Sequence, residues 1–320
     1  MLSNAYFYFV RCRQRTRIIL LLIVTFCLTS LLYQHVNNEL PYSCPGCKVY
    51  NLNRNISHKY DCIPTRYKPP IVLCIYSIDE DIRISYNLKM SGTWELTIVE
   101  TFQKWLTDRP RIGVIDIGAN IGLYSLLSLA MGHRTVAVDP NIRSLSRLRA
   151  SVLANGLDPD HVTTLLNAVG DKRGPVNVIR SKDNQGDTRV SEARIGWIMR
   201  DPVNMIAMDD IITFCPFSDA IMKIDIQGYE HKAFARAGRL FDVIKIHYVI
   251  MEMREILFMT RTHNPRSRDI RLIEGMLEFF RNRRYAPRDI SGAALNDNNW
   301  RQWPDDVIWL HDVTGGDVWF

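Results

Sequence analysis

The sequence lacks the features that mark a chain as non-globular. Its 320 residues include only 17 Gly and 14 Pro, which excludes a collagen-like or low-complexity protein. Hydrophobic residues make up 47% and charged residues 23%, which suits a globular protein with a sizeable core rather than a polytopic membrane protein. Lys and Arg outnumber Asp and Glu by 40 to 34, and the excess is local. This charge profile argues against nucleic-acid binding, for which basic residues spread over a face of the domain.

Acidic residues are absent before Glu39. Residues 18–33 carry no charge, and the segment before them contains four positive residues, Arg11, Arg13, Arg15 and Arg17. The positive-inside rule therefore predicts a single-pass type II membrane protein with a cytosolic tail at 1–17, a transmembrane signal anchor at 18–33 and a lumenal remainder. The run is short for a span, so a buried helix and a cleaved signal peptide remain alternatives, although no small-x-small cleavage site follows.

Metal-ligand spacing is also missing. Cys44 and Cys47 form a CxxC pair, but no second CxxC and no suitably spaced His pair follows, so we predict no metal site. With Cys62 and Cys74 they make an even set just beyond the anchor, which an oxidising compartment would pair. We predict a lumenal, Cys-containing stem at 34–70 held by structural disulfides, with three possible connectivities and a zinc half-site or redox pair as alternatives.

Regular patterns begin at residue 71, and the predicted catalytic domain runs from 71 to 320. Apolar periodicity predicts strands at 71–75, 112–117, 134–138, 162–166, 221–225 and 246–252. It predicts helices at 94–106, 121–131, 141–155, 229–240 and 267–281. The segments 283–290 and 306–311 can supply the last two strands as a hairpin. This alternation predicts an α/β fold with a doubly wound, mainly parallel sheet.

The dinucleotide fingerprint G-x-G-x-x-G is absent after the strand at 112–117. Asn120 stands where its second glycine would be, between Gly118 and Gly122. Asp116, at the end of this strand, would repel a pyrophosphate but suits the amino group of S-adenosylmethionine (SAM). Asp139, at the end of the next strand, is placed to accept both ribose hydroxyls. We predict that the loop binds SAM, with NAD binding and a purely structural turn as alternatives.

Several further motifs occur in order along the chain. They are Gly92-Thr93-Trp94-Glu95, Val138-Asp139-Pro140, Asn155-Gly156-Leu157, Asn167-Ala168-Val169-Gly170, Met208-Asp209-Asp210, the run from Lys223 to Glu230 (KIDIQGYE), and Met251-Glu252. Together with the run DIGANIGLYS, they resemble the FkbM-type SAM-dependent methyltransferases over residues 92–255. The anchor and the Cys-containing lead-in resemble animal, single-pass members of this group.

The resemblance implies a Rossmann-like class I methyltransferase fold. Its seven-stranded, mainly parallel sheet has helices on both faces and an antiparallel last strand. The family usually has Glu where Asp139 and Gln227 stand. Asp139 still accepts two hydrogen bonds, whereas Gln227 removes one carboxylate beside the expected site. Nucleobase contacts are expected from Asn167 and Ala168, which follow the third strand.

Methyl transfer is an in-line displacement, so the enzyme must align the acceptor and, for a hydroxyl, remove its proton. Carboxylates at strand ends are the candidates for this work. Asp225, Glu230 and Glu252 are the predicted catalytic residues. Their alternative roles are a helix N-cap, a first-turn acid and a salt bridge with Arg254 or Lys223, respectively. The stretch 184–188 is a candidate lid or acceptor contact, with a surface turn as its alternative.

The sequence predicts a SAM-dependent methyltransferase that O-methylates a sugar, glycan or other small hydroxyl acceptor. The anchor and the sequon Asn55-Ile56-Ser57 place it in the endoplasmic reticulum or Golgi as a glycoprotein. The seven Arg between residues 266 and 288 form either a solvated face or a patch for an anionic glycan. A non-catalytic lumenal adaptor with this fold and a nicotinamide-linked oxidoreductase are the competing hypotheses.

Overall fold

A computed structural model describes residues 44–53, 59–191, 202–262 and 267–312. The elements given below belong to one compact unit, residues 45–320. The predicted anchor at 18–33 and the sequon at 55–57 lie outside the described residues. In the described ranges, no helix is both long and apolar enough to cross a membrane.

The strands are β1 (Asp61–Pro64), β2 (Val72–Ile75), β3 (Gly113–Ile117), β4 (Thr135–Val138), β5 (Val162–Leu165), β6 (Ala168–Val169), β7 (Gly174–Ile179), β8 (Arg189–Ser191), β9 (Pro202–Ile206), β10 (Asp219–Ile224), β11 (Lys245–Glu252), β12 (Tyr285–Arg288) and β13 (Asp306–His311). The helices are α1 (Ile84–Ser91), α2 (Leu96–Asp108), α3 (Leu123–Ala130), α4 (Ile142–Ala154), α5 (Glu230–Phe234), α6 (Gly238–Val243), α7 (Arg254–Thr262) and α8 (Ser267–Asn282). Short 3-10 helices cover Pro159–His161, Met208–Phe214 and Asp297–Gln302.

Seven strands form the central sheet in the order β12-β13-β11-β10-β3-β4-β5. Strand β13 runs antiparallel to both of its neighbours, and the other pairs are parallel. The predicted seven-stranded, mainly parallel sheet and its final hairpin are therefore confirmed. The chain leaves β3 towards one edge and returns at β10 on the other side. Ligands of open α/β sheets bind at such a reversal, outside the carboxyl ends of the strands.

The sheet is buried because its inner strands are apolar on both faces. Every residue of β3 and β4 is buried, as expected for parallel strands with helices packed on both sides. Helix α2 contributes an apolar face, on which Phe102 meets the ring of Tyr124 at 5.2 Å and Trp105 stacks on Tyr248 at 4.1 Å. These ring contacts join α2 to α3 and to β11.

Residues upstream of the predicted domain start also pack onto the domain. Strand β1 pairs with β2, and the disulfide Cys62–Cys74 joins two partners in that ladder. Val49 forms an antiparallel bridge with Leu165 of β5, the last strand of the central sheet. The backbone bonds Tyr50 N to Thr164 O (2.8 Å) and Leu166 N to Lys48 O (2.7 Å) flank this bridge. We call residues 46–50 the edge strap. Cys44 and Cys47 are disulfide-bonded as well.

The helix predicted at 229–240 is wrong as a single element, because the structure has α5 and α6 in its place. Helix α6 is capped by Asp209, which lies far away in sequence, because the Asp209 carboxylate accepts the Leu240 N–H at 2.8 Å. Helices α1 and α7 and the four-stranded sheet β6-β9-β7-β8 were not predicted. Helix α1 depends on Asp81, which accepts the amides of Ile84 and Ser85 and so fixes its first turn.

Phe102→Ala should destabilise the domain by about 3–5 kcal/mol, because it removes a fully buried ring between α2 and α3. Lys104→Ala, at an exposed position of the same helix, is the matched control and should change stability by less than about 0.5 kcal/mol. Urea unfolding of the two variants measures both values. Equal effects would show that α2 does not contribute to the core.

Candidate active site

The loop between β3 and α3 contains three residues in left-handed conformation, Gly118 (φ 82°), Asn120 (φ 51°) and Gly122 (φ 88°). The amides of Gly118 and Ala119 both donate to the Val138 carbonyl at the end of β4, at 2.8 and 3.1 Å. A Cβ on Gly118 would lie 1.8 Å from the Asp225 carbonyl oxygen, and one on Gly122 would lie 2.3 Å from the Leu148 side chain. Both glycines are thus required for close packing.

Asp116 is 1% exposed and holds α3 against β3. Its Oδ2 accepts the Ser125 hydroxyl at 2.6 Å and the Ser125 amide at 3.1 Å. Burial raises the pKa of Asp116 to about 6, although Ser125 and Lys223 oppose the rise. The predicted anchor of an amino group therefore lines the cavity with one oxygen already bonded to the protein.

Asp139 follows β4 and organises the neighbouring loops. Its Oδ2 accepts the amide of Asn120 at 2.8 Å, and its Oδ1 accepts the amide of Asn141 at 2.7 Å. Burial raises its pKa to about 7, against the effect of these two hydrogen bonds. A carboxylate has about four lone-pair directions, so capacity remains for two hydroxyl donors. This arrangement suits the predicted ribose contact.

Asn167 has a different role from the predicted nucleobase contact. Its Oδ1 accepts the amide of Lys48 at 2.8 Å, and its Nδ2 donates to the carbonyls of Gly46 and Asn204, each at 2.9 Å. The amide side chain is therefore occupied in holding the edge strap, and only the residue's position on the cavity wall remains for a ligand. Ala168, beside it, is buried and small, and it lines the cavity.

Two carboxyl groups meet at the ends of β10 and β11. The amide Nε2 of Gln227 donates to Asp225 at 2.8 Å and to Glu252 at 3.1 Å. Lys223 Nζ lies 3.5 Å from Asp225, and Arg254 lies 3.1 Å from Glu252. Gln227, the departure from the family pattern, thus connects the two predicted catalytic carboxyl groups.

The pKa values of Asp225 and Glu252 are shifted in opposite directions. Burial and the adjacent Asp225 charge raise the pKa of Glu252 to about 10. Burial opposes the ionisation of Asp225, but Lys223 and hydrogen bonds from Glu252 and Gln227 outweigh it, so the pKa of Asp225 is lowered. Burial also opposes the charge of Lys223, yet Asp225 and Glu95 outweigh this and raise its pKa. These shifts favour the ionisation of Asp225 over that of Glu252.

Glu230 does not lie on the described wall of the cavity. It is 1% exposed, and its Oε1 accepts the amides of Ile226 (2.8 Å) and Gly228 (3.4 Å), so it holds the turn after β10. Burial raises its pKa to about 8, against these bonds. The predicted catalytic role of Glu230 is therefore corrected to a supporting one, because the residue is off the cavity wall and its Oε1 binds the backbone amides of its own turn.

Sequence reasoning gave no role to three cavity carboxylates, Glu95, Asp305 and Asp306. Glu95 accepts the Tyr124 hydroxyl at 2.7 Å, and burial raises the pKa of Asp306 at the start of β13 to about 6. Glu95 belongs to the Gly92-Thr93-Trp94-Glu95 motif, whose residues have no recognisable chemical role in the sequence alone. Nothing local marks Asp306, because only the antiparallel pairing of β13 with β11 brings it to the cavity.

The stretch 184–188 lies against the cavity, as the candidate lid requires. The backbone bond from Ile82 to Asp183 (2.9 Å) attaches it to the segment before α1. On the other side, Arg189 forms an ion pair with Glu255 of α7 at 3.1 Å. Together these elements enclose a cavity of about 290 Å³ above the carboxyl ends of β3, β4 and β10.

The Methyltransferase FkbM domain model matches residues 116–287, more than half of the chain. The chain belongs to the FkbM methyltransferase family. Its methyl donor is SAM, and the matched segment includes Asp116, Asp139, Asp225 and Glu252. A search of the curated proteins finds no match.

Two solved methyltransferase structures are among those to which the chain is similar. An O-methyltransferase from Bacillus cereus, in complex with SAH, shares 12% identity, with 70% of this chain and 94% of that chain covered and a TM-score of 0.38. An rRNA methylase from Streptococcus thermophilus shares 10% identity, with 66% and 93% covered and a TM-score of 0.36. Both similarities are weak, so the assignment rests on the family match.

The cavity fits SAM better than a pyrophosphate cofactor. Eight Asp or Glu against three Lys or Arg stand on its described wall: Glu95, Asp116, Asp139, Asp187, Asp225, Glu252, Asp305 and Asp306 against Arg83, Lys223 and Arg254. SAM has a sulfonium and an ammonium group and no phosphate, so this excess of acids attracts it. Asp139 would hold the ribose, and Asp116 and the glycine loop would hold the methionine part.

Gly118→Ala should abolish detectable SAM binding, because its new methyl group collides with the Asp225 carbonyl and displaces the turn that holds the carboxyl pair. Gly132→Ala is the matched control, since Gly132 has nearly the same φ (84° against 82°) but nothing within 4 Å of an added Cβ. The control pays only the left-handed strain of about 1–2 kcal/mol. Calorimetric titration with SAM, after folding is checked by circular dichroism, compares the two. Similar affinities would contradict the close contact.

Proposed function

We propose that this FkbM domain is an O-methyltransferase for an uncharged hydroxyl acceptor, such as a sugar or glycan. The observation that carries the proposal is the position of the Asp225–Glu252 carboxyl pair in the same cavity as the glycine loop and Asp139. Asp225, with its lowered pKa, is ionised and can take a proton at neutral pH. A hydroxyl acceptor must lose its proton during the transfer, and Asp225 is placed to receive it.

SAM, when bound, supplies the methyl carbon on a sulfonium centre. The acceptor oxygen forms the new bond to that carbon, the carbon–sulfur bond breaks, and its electron pair stays on sulfur. The hydroxyl proton passes to Asp225, so charge and atoms balance. Trp94 and Tyr229, both on the cavity wall, offer aromatic surface for a sugar ring. Lys223 keeps Asp225 ionised at a distance of 3.5 Å until the proton arrives.

An uncharged acceptor follows from the excess of carboxylates on the cavity wall, which would repel sulfate, uronate or phosphodiester groups. The same excess supports the prediction that nucleic acid is not the acceptor. The Arg cluster at 266–288 gives no support for an anionic glycan. Among its described members, Arg281, Arg283 and Arg284 pair with Asp297, Asp242 and Asp312.

We also propose that the protein is a single-pass type II membrane glycoprotein of the endoplasmic reticulum or Golgi, with the domain in the lumen. The Arg-flanked apolar run at 18–33 and the sequon at 55–57 support this location. The disulfide Cys62–Cys74 supports it as well, because such bonds persist in oxidising compartments.

Asp225→Asn should bind SAM within a few-fold of the parent protein but lose about 10²–10⁴-fold in methyl transfer, because the proton acceptor is gone. The full-length protein is titrated with SAM and NAD by calorimetry and then given methyl-labelled SAM with a panel of neutral and anionic glycosides. Asp219→Asn, at the opposite end of β10, is the control and should transfer methyl groups normally. No SAM binding by the folded protein would favour the adaptor instead.

The lumenal location predicts an N-glycan on Asn55. Peptide-N-glycosidase treatment of the protein from secretory cells should increase its gel mobility, whereas Asn55→Gln should already migrate at the faster position. Asn53→Gln, two residues away and outside the sequon, should behave like the parent. Identical mobility of treated and untreated parent would contradict lumenal exposure of this segment.

A further inference from the structure

Gln227 occupies an unusual backbone position between β10 and α5. Its φ of 54° is left-handed, a conformation that few residues other than glycine adopt. Glu230 stabilises this turn, because its carboxylate accepts hydrogen bonds from the amides on both sides of Gln227, those of Ile226 and Gly228. The backbone at Gln227 is thus held by a residue of its own turn.

The orientation of the Gln227 amide is decided by its two partners. Nε2 donates to Oδ1 of Asp225 and to Oε2 of Glu252. The flipped amide would place its oxygen 2.8 Å from the ionised Asp225, where two acceptors repel each other. Gln227 Nε2 thus donates one hydrogen bond to each carboxyl group. These two bonds stabilise the single negative charge that remains when the Asp225–Glu252 pair has bound one proton.

Other charged groups surround the pair on every side. Lys223 approaches from β10 and Arg254 from α7, while Asp116 of β3, Glu95 before α2, and Asp305 and Asp306 at β13 add negative charge. Two cations therefore face an excess of acids. Without a bound proton, Asp225 and Glu252 would add two negative charges to this acidic surrounding. With two bound protons, the pair could not act as a base.

We propose that Gln227 is a positioning residue that, by donating to both carboxyl groups, limits the pair to one proton and keeps Asp225 ionised. This inference rests on the proposed function only where it makes Asp225 the base of the reaction. The protonation state itself can be measured without any acceptor. A carboxylate at position 227 would have no N–H to donate and would need a proton of its own.

The test is the infrared carbonyl band of protonated carboxyl groups in the full-length protein. At about pH 9, Asp139 and Glu230, with pKa values of about 7 and 8, are largely ionised, while Glu252, at about 10, keeps its proton. We expect a band in the parent that Glu252→Gln removes. Gln227→Glu should add a second carboxyl to this band, doubling its area. Gln302→Glu, at an exposed position, should add nothing.

Gln227→Met is the second variant, in case Gln227→Glu does not fold. Because Met donates no hydrogen bond to the carboxylates, the band should persist and its titration midpoint should move to higher pH. The inference is overturned if Glu252→Gln leaves the parent band unchanged, or if the folded Gln227 variants titrate like the parent. A protein with the expected bands but no methyl transfer would refute the proposed function alone.

Discussion

The parallel pairing of β3 with β10 is the constraint on which the site depends. Lys223 and Asp116 are register partners in this ladder, so a cation and an acid that are far apart in sequence lie side by side within the sheet. The amide of Asp225 also donates to the Ile117 carbonyl at 2.9 Å, which continues the ladder past the last paired residues. Any shift of this register would separate the glycine loop from the carboxyl pair.

The electrostatics of the site follow from this packing. Buried carboxyl groups ordinarily neutralise by binding protons, and the raised pKa values of Asp116, Asp139 and Asp306 reflect that tendency. Asp225 is the exception, because Lys223 and its hydrogen bonds favour the charged form. A cationic ligand would lower the raised pKa values of Asp116, Asp139 and Asp306. Binding of the methyl donor and deprotonation of these cavity carboxyl groups should therefore favour each other.

The strand-end carboxylates could be predicted from the sequence, because parallel strands end at the same edge of a sheet and the chain order gives their neighbours. Asp139, Asp225 and Glu252 accordingly stand in or against the cavity. Glu230 differs because its carboxylate bonds to the amides of its own turn, which no pattern reveals. Asn167 differs because two of its three partners, Gly46 and Lys48, lie more than a hundred positions earlier in the chain. Such competition for a polar side chain is decided by tertiary packing.

The edge strap protects one edge of the central sheet from pairing with other chains. Strand β5 ends the central sheet, and an uncovered edge presents unpaired amides and carbonyls to other chains. Residues 46–50 cover that edge with an antiparallel bridge and flanking backbone bonds, and Asn167 fastens them from behind. The strap therefore acts as protection against strand-to-strand aggregation. A fragment that began after residue 50 would keep the catalytic residues while exposing a β-strand template for self-association.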